Sequence, residues 1–184
     1  MHKIQQDKYN DKLNRLQNEE LENIAPGVEI YHQLMAIYLY QNKLANAKLL
    51  WMRIANNLKE QNKELAQLNL LNLALQHNNY ADFFKHIKYE WSETNKPIID
   101  DLLIKQREEL FNLTSTAYVS IYEHNLMEMA QMTAEELQNA CSDWTREQDG
   151  DKKILLPKMK EPTPRVASDD QLLKLTEFVS FLEN

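Results

Sequence analysis

Glycine is nearly absent from this chain. Gly27 and Gly150 are the whole supply in 184 residues, against roughly 7 % in average usage. Phosphate-cradling loops and dinucleotide-binding turns need clustered glycines so that backbone can approach the ligand, and no such cluster exists. The scarcity also argues against a hairpin-rich β-protein, because its tight turns need positive φ. Cysteine is limited to Cys141; one thiol cannot form an internal disulfide, which suits a reducing compartment. Lys and Arg number 21 against 28 Asp and Glu, and the net charge of −7 exerts no overall pull on nucleic acid or anionic membrane. No apolar run approaches the ~20 residues that a bilayer span requires. Residues 1–7 (MHKIQQD) lack the apolar stretch of a signal peptide. The expectation is a soluble, intracellular protein with no membrane association.

What the chain does have is helical periodicity. Residues 9–24 read as a first helix with Leu13, Leu16 and Leu21 among polar neighbours, ended by Ala25-Pro26-Gly27. Ile30, Leu34, Ile37 and Tyr38 recur at helical spacing. Ala47, Leu50, Trp51 and Ile54 repeat the pattern beyond a break at Gln41-Asn42-Lys43. Two amphipathic helices joined by a short turn bury both apolar faces by packing as a hairpin. Leu34, Tyr38, Ala47 and Trp51 have the mutual offsets of a tetratricopeptide unit, and a shift of 36 residues gives Leu70, Ala74, Phe83 and Ile87. Stacked antiparallel helices forming a short solenoid follow from this. A longer helix is expected from near Pro97, where the missing amide hydrogen is harmless. It carries Ile98, Leu102, Leu110, Leu113, Ala117 and Ile121 and ends around His124.

The texture then changes. A short helix is expected near residues 126–130. Thr133-Ala134-Glu135-Glu136 is a capping box, followed by Leu137, Ala140, Cys141 and Trp144 on one helical face. After Gly150, Ile154-Leu155-Leu156-Pro157 reads as a strand. Together these elements make a winged helix. Its would-be recognition helix carries Glu135, Glu136 and Asp143 with Arg146 the lone base, whereas phosphate contacts require Lys or Arg. Lys152, Lys153, Lys158 and Lys160 read as solvated charges. A protein-binding winged helix is therefore favoured over a DNA-binding one. Residues 158–167, with Pro162 and Pro164, form a linker. Ser168 and Gln171 make a second capping box, opening a last helix whose stripe is Leu172, Leu175, Val179 and Leu182. That stripe is too small to offset the entropy of ordering the helix alone, so it must dock on something.

No residue constellation supports catalysis. His2, His32, His77, His86 and His124 show no metal-ligand spacing. Cys141 reads as a buried small hydrophobe, and Asp100-Asp101 and Glu108-Glu109 as solvated helix faces. The chain is not expected to be an enzyme, and no metal or other cofactor is expected.

Helical repeats, a winged helix and a trailing helix in this order resemble the PCI architecture of the proteasome lid, the COP9 signalosome and initiation factor eIF-three. Tyr31-His32-Gln33-Leu34 and Leu50-Trp51-Met52-Arg53-Ile54 look like the N-terminal repeat of the subunit 8 family of the signalosome. Trp91-Ser92-Glu93-Thr94 followed by Pro97-Ile98, and Thr116-Ala117-Tyr118-Val119-Ser120-Ile121, are similar to segments of that family. Residues 170–184 resemble its C-terminus nearly position by position. The resemblance begins at about Pro26; the residues before it match poorly.

The resemblance implies a non-catalytic scaffold subunit supporting the removal of NEDD8 from cullins of cullin–RING ubiquitin ligases (deneddylation). The reaction itself belongs to a different subunit, a zinc metalloprotease of the JAMM type. Implied partners are other signalosome subunits, chiefly subunit 3, and a bundle of C-terminal helices, with cullin–RING ligases engaged indirectly. The implied location is cytoplasm and nucleus. The expected fold is mainly α: a helical-repeat (TPR/HEAT-like) segment over 1–124, a winged-helix subdomain of PCI type over 125–158, a linker over 159–167 and a C-terminal bundling helix over 168–184. Leu172, Leu175, Val179 and Leu182 are the candidate bundle contacts. Ile154, Leu155 and Leu156 are the candidate strand for pairing with a neighbouring winged helix, internal hairpin pairing being the alternative. Two other function classes compete: a free-standing peptide-binding repeat protein, with a groove at Tyr38, Trp51 and Leu58, and a nucleic-acid-binding winged helix.

Overall fold

The computed structural model describes residues 8–23, 26–150, 152–158, 176 and 178–181. Among the described residues seven helices come first: α1 (Asn10–Glu22), α2 (Val28–Tyr40), α3 (Leu44–Arg53), α4 (Asn56–Gln61), α5 (Lys63–Gln76), α6 (Tyr80–His86) and α7 (Lys96–Ala117). Strand β1 (Ile121–Tyr122), helices α8 (Glu123–Ala130) and α9 (Ala134–Ala140), and strands β2 (Thr145–Asp149) and β3 (Lys152–Leu156) follow.

Helix α2 has the sequence VEIYHQLMAIYLY, and every residue from Leu34 to Tyr40 is buried. A helix that is apolar on all sides has to be covered on all sides. Helices α1, α3, α5 and α7 all pack on it. They contribute Leu13 and Leu16, Ala47 and Leu50, Leu65 and Leu68, and Ile98, Ile99 and Leu102 to one core. Leu21, read as part of the apolar set of α1, is 84 % exposed.

The 36-residue repeat is written into the backbone. Between α2 and α3, the amides of Gln41, Asn42 and Lys43 donate to the carbonyls of Ile37, Leu39 and Tyr38 at 2.9, 3.0 and 2.8 Å. Between α5 and α6, the amides of His77, Asn78 and Asn79 donate to Leu73, Leu75 and Ala74 at 3.1, 3.1 and 2.8 Å. The middle residue of each turn is left-handed, Asn42 at φ 58° and Asn78 at φ 53°. Asparagine takes this conformation at lower cost than other side chains. Large and small residues exchange places between the units, Tyr38 with Ala47 in the first and Ala74 with Phe83 in the second, and all four are buried. Leu70, the counterpart of the fully buried Leu34, lies at the rim and is 37 % exposed.

A polar knot joins three segments of the repeat unit. The Glu64 carboxylate on α5 accepts from Ser92 Oγ at 2.9 Å and from Asn95 Nδ2 at 2.8 Å, and it stands 3.8 Å from His32 Nδ1 on α2. Ser92 belongs to the Trp-Ser-Glu-Thr segment. There the Trp91 Nε1 proton goes to the Ile87 carbonyl at 2.8 Å, and the Ser92 carbonyl accepts from the amides of Asn95 and Lys96. The segment thus turns the chain into α7, with Pro97 in its first turn as expected.

Helix α7 ends at Ala117, before the His124 that periodicity suggests. Thr114, Ser115 and Thr116 donate their hydroxyls to the carbonyls of Leu110, Asn112 and Asn112. Such back-bonding competes with continued helix, and Tyr118 is already extended. Ile121 therefore belongs to a strand that joins the sheet of the expected winged helix from a position before Asn125. Its sheet has the order β1-β3-β2, antiparallel throughout, with Gly150 at φ 59° opening the β2–β3 turn. A second core gathers Ile121, Leu126, Leu137, Cys141 and Leu155, with Phe111 of α7 edge-on to Trp144 at 6.2 Å. Ala140, placed on the same face by spacing, is exposed, because the helix stops there and Cys141 is already non-helical. Helix α8 packs against α6, and its Ala130 enters the first core. The linker and the second capping box lie outside the described residues.

Burial dominates His32 and lowers its pKa below the ordinary 6.5; Glu64 pulls it back up in part. At pH above about 7 the ring is neutral in both folded and unfolded chains. As pH falls through about 6.5 the unfolded chain takes up a proton that the folded chain refuses, so stability falls. Thermal unfolding followed between about pH 7.5 and 5.5 is expected to lose midpoint temperature on acidification. His32→Gln is expected to flatten that slope; an unchanged slope would show that His32 does not carry it.

Candidate interaction site

Among the described residues no group of His, Cys, Asp and Glu could hold a metal ion. Cys141 is 1 % exposed, and burial first, then the charge of Asp143, pushes its thiol up to about 11. A thiol held protonated is a poor nucleophile. Asp101, read as a solvated acid, instead accepts from Lys8 Nζ and Tyr9 Oη and ties the start of α1 to α7. Among the described residues no helix is long and apolar enough to cross a membrane. The sites expected from the sequence are surfaces.

The first surface is helix α9. Thr133 caps it: its Oγ1 accepts from the Glu136 amide at 3.3 Å, while the Glu136 carboxylate accepts from the Thr133 amide at 2.9 Å. That backbone donor, more than any other cause, holds the Glu136 carboxyl below the usual range. Glu135, Glu136, Gln138 and Asn139 face outward, and carboxylates there repel phosphate. The wing lysines are partly engaged. Lys153 stands 3.7 Å from the Glu123 carboxylate and Lys152 lies over the Tyr122 ring. This face therefore carries carboxylates where a phosphate-binding groove would need free cations.

The second surface is the sheet edge, and it is not where the apolar run Ile154-Leu155-Leu156 suggests. Strand β3 is central. Ile154 and Leu155 pair with Tyr122 and Ile121 on one side, and the whole strand pairs with β2 on the other. Leu155 is fully buried, and Ile154 and Leu156 are half-buried. Internal pairing thus takes up the groups that edge addition would need. The open long edge is β2, Thr-Arg-Glu-Gln-Asp, exposed at all five positions. Sequence reasoning missed β2 because it has no apolar alternation; only its place between Trp144 and Gly150 could have marked it.

The third surface is apolar. Leu113, Tyr118 and Val119 are exposed where α7 runs into β1, at 52, 47 and 71 %. Residues 178–181 are helical. Phe178, Val179 and Phe181 are exposed there. Of the predicted bundle contacts, Val179 is thus an exposed helical residue, while Leu172, Leu175 and Leu182 lie outside the described residues. The expected peptide groove is not brought together. Tyr38 is buried with its hydroxyl accepting from Gln17 Nε2 at 2.8 Å, and Trp51 and Leu58 pack against the first core.

Comparison with known proteins agrees with this architecture. The sequence profile of the CSN8/PSMD8/EIF3K family matches residues 27–166. COP9 signalosome complex subunit 8 of Drosophila melanogaster is 63 % identical over 179 residues, covering 96 % of this chain and 98 % of that protein. The subunit 8 of Danio rerio is 29 % identical, covering 94 % of this chain and 93 % of that protein. The Dictyostelium discoideum subunit is 26 % identical, covering 93 and 89 %. The chain belongs to the CSN8/PSMD8/EIF3K family, in its COP9 signalosome subunit 8 branch.

Proposed function

We propose that this chain is a non-catalytic scaffold of the COP9 signalosome, supporting removal of NEDD8 from the cullins of cullin–RING ligases by another subunit, a JAMM-type zinc metalloprotease. The observation that carries this reading is the winged helix: an acidic helix face, a solvent-facing strand edge at β2 and a small core of its own, held against a helical repeat. Such a module offers backbone groups to another sheet by edge addition. A neighbouring PCI-type winged helix, that of subunit 3 foremost, is the occupant that the family suggests.

The last helix is the second attachment. Leu172, Leu175, Val179 and Leu182 recur at spacings of three and four, and Phe178 and Phe181 widen the stripe with exposed rings. An apolar stripe of that width is stable in water only when covered. The C-terminal helices of other subunits are its proposed cover. The protein would do this work in cytoplasm and nucleus, touching cullin–RING ligases only through the complex.

Leu175→Asp is expected to weaken incorporation into the complex, read by co-purification, while leaving the thermal unfolding of the free chain unchanged; undiminished incorporation would remove the helix from the account. The β2 edge is tested by amide hydrogen exchange. In the free chain the outward-facing amides of residues 145–149 should exchange rapidly, and in the assembled complex they should gain protection. Equal exchange in both states would mean that β2 pairs with nothing.

A further inference from the structure

Of the thirteen residues of α1 only Leu13 and Leu16 are buried, and Leu21 stands out in solvent. Two buried leucines offset only part of the entropy of ordering a helix of this length. The other contacts that hold α1 are polar, and they sit at both ends. At its start, Lys8 Nζ and Tyr9 Oη donate to the Asp101 carboxylate of α7, and Gln41 Nε2 donates to Asn10 Oδ1 at 2.8 Å. In the middle, Gln17 Nε2 donates to Tyr38 Oη at 2.8 Å. Near the end, Arg53 of α3 grips the Glu20 carboxylate with Nε and Nη2 at 2.8 and 2.7 Å.

The part of α2 that meets α1 is rich in tyrosine. Tyr40 meets the ring of Tyr9 edge-on at 5.0 Å, and Tyr38 bonds Gln17. Tyr31 and Tyr38 line a hollow of about 620 Å³ together with Gln17, Asn18, Glu20 and Leu21 of α1. A tyrosine joins an apolar ring to a hydroxyl that water can serve, so such a face loses less on exposure than a leucine face. The second half of α1 bridges the hollow instead of interlocking with its floor. A joint of that kind gives up few dispersion contacts when it opens. The match to the family profile begins at residue 27, after α1, so the repeat that the family shares is defined without this helix.

We propose that α1 is a strap that opens and closes as a unit over the tyrosine face of α2, while the rest of the repeat stays folded. The contacts at Asp101 and Glu20 are its two latches. Latches at both ends hold the helix against fraying from either one, so it leaves whole or not at all. Opening breaks the charge-assisted bonds and uncovers Tyr31, Tyr38 and Tyr40. Lys8 and Arg53 are half-exposed, so salt screens both latches. The strap is a property of the free chain and is independent of the assembly reading.

Native-state amide hydrogen exchange of the full-length chain, resolved residue by residue by NMR, tests the strap. The amides of residues 14–22 in α1 are expected to share one protection factor, at least about a hundredfold below that of residues 67–76 in α5. Raising NaCl from about 0.05 to about 1 M should lower protection in α1 and leave α5 unmoved. Arg53→Gln and, separately, Asp101→Asn should each lower protection in α1 by roughly two- to fivefold, as loss of one charge pair implies, again with α5 unmoved. Equal protection in α1 and α5, a steady rise along α1 of the kind that end fraying gives, or no protection in α1 would overturn the strap. Variants that leave α1 unmoved, or that lower α1 and α5 equally, would overturn the latches. None of these results bears on Leu175→Asp, so the two readings fail separately.

Discussion

From Leu34 on, helix α2 has no polar face to turn toward water, and the repeat unit is the arrangement that this constraint demands. Leu34, Met35, Ala36, Ile37 and Leu39 point in successive directions around the helix, and each is completely buried. Burial of such side chains contributes roughly 1.5–3 kcal/mol apiece, but only if neighbours stand on every side. Four helices do so: α1 and α7 besides the hairpin partner α3 and the next unit's α5. Two of them come from far along the chain, so the fold closes only when α7 has been delivered back to α2. The Glu64 knot serves that return. It fastens the segment that turns into α7 to a carboxylate on α5 beside a buried histidine on α2.

Helix α7 then carries the consequence to the surface. From Ile98 to Leu110 it packs in the repeat core, and Phe111 reaches the core of the winged helix. Helix α8 packs back on α6 from the other side. The winged helix is therefore joined to the repeat through α7 and through the packing of α8 on α6. What remains outward is the long side of β2, the acidic face of α9 and the apolar residues where α7 runs into β1. Such outward surfaces are what the proposed scaffold role requires.

Much of this was legible in the residues. The repeat could be read at Leu34, Tyr38, Ala47 and Trp51 and again 36 residues later, and the two left-handed asparagines sit at the same offset. The capping box at Thr133 and Glu136 closes in both directions. Other features were hidden for identifiable reasons. Ile121 satisfies the helical period of α7, yet hydroxyl back-bonding at Thr114, Ser115 and Thr116 ends the helix first, so one residue fits two patterns. Strand β2 has no apolar face, and its pairing with β3 is invisible to any scan for alternation. Whether Ile154-Leu155-Leu156 lies at an edge or in the centre depends on a two-residue strand more than thirty positions earlier.

The central claim is that the chain acts by being held among other subunits. The direct measurement is native affinity purification of a tagged copy from its own cells, with mass spectrometry of the eluate and an assay of NEDD8–cullin cleavage. The account predicts recovery of other PCI-type subunits together with cleavage activity that the purified chain alone does not have. Recovery of the chain by itself, with no such subunits and no activity, would contradict it.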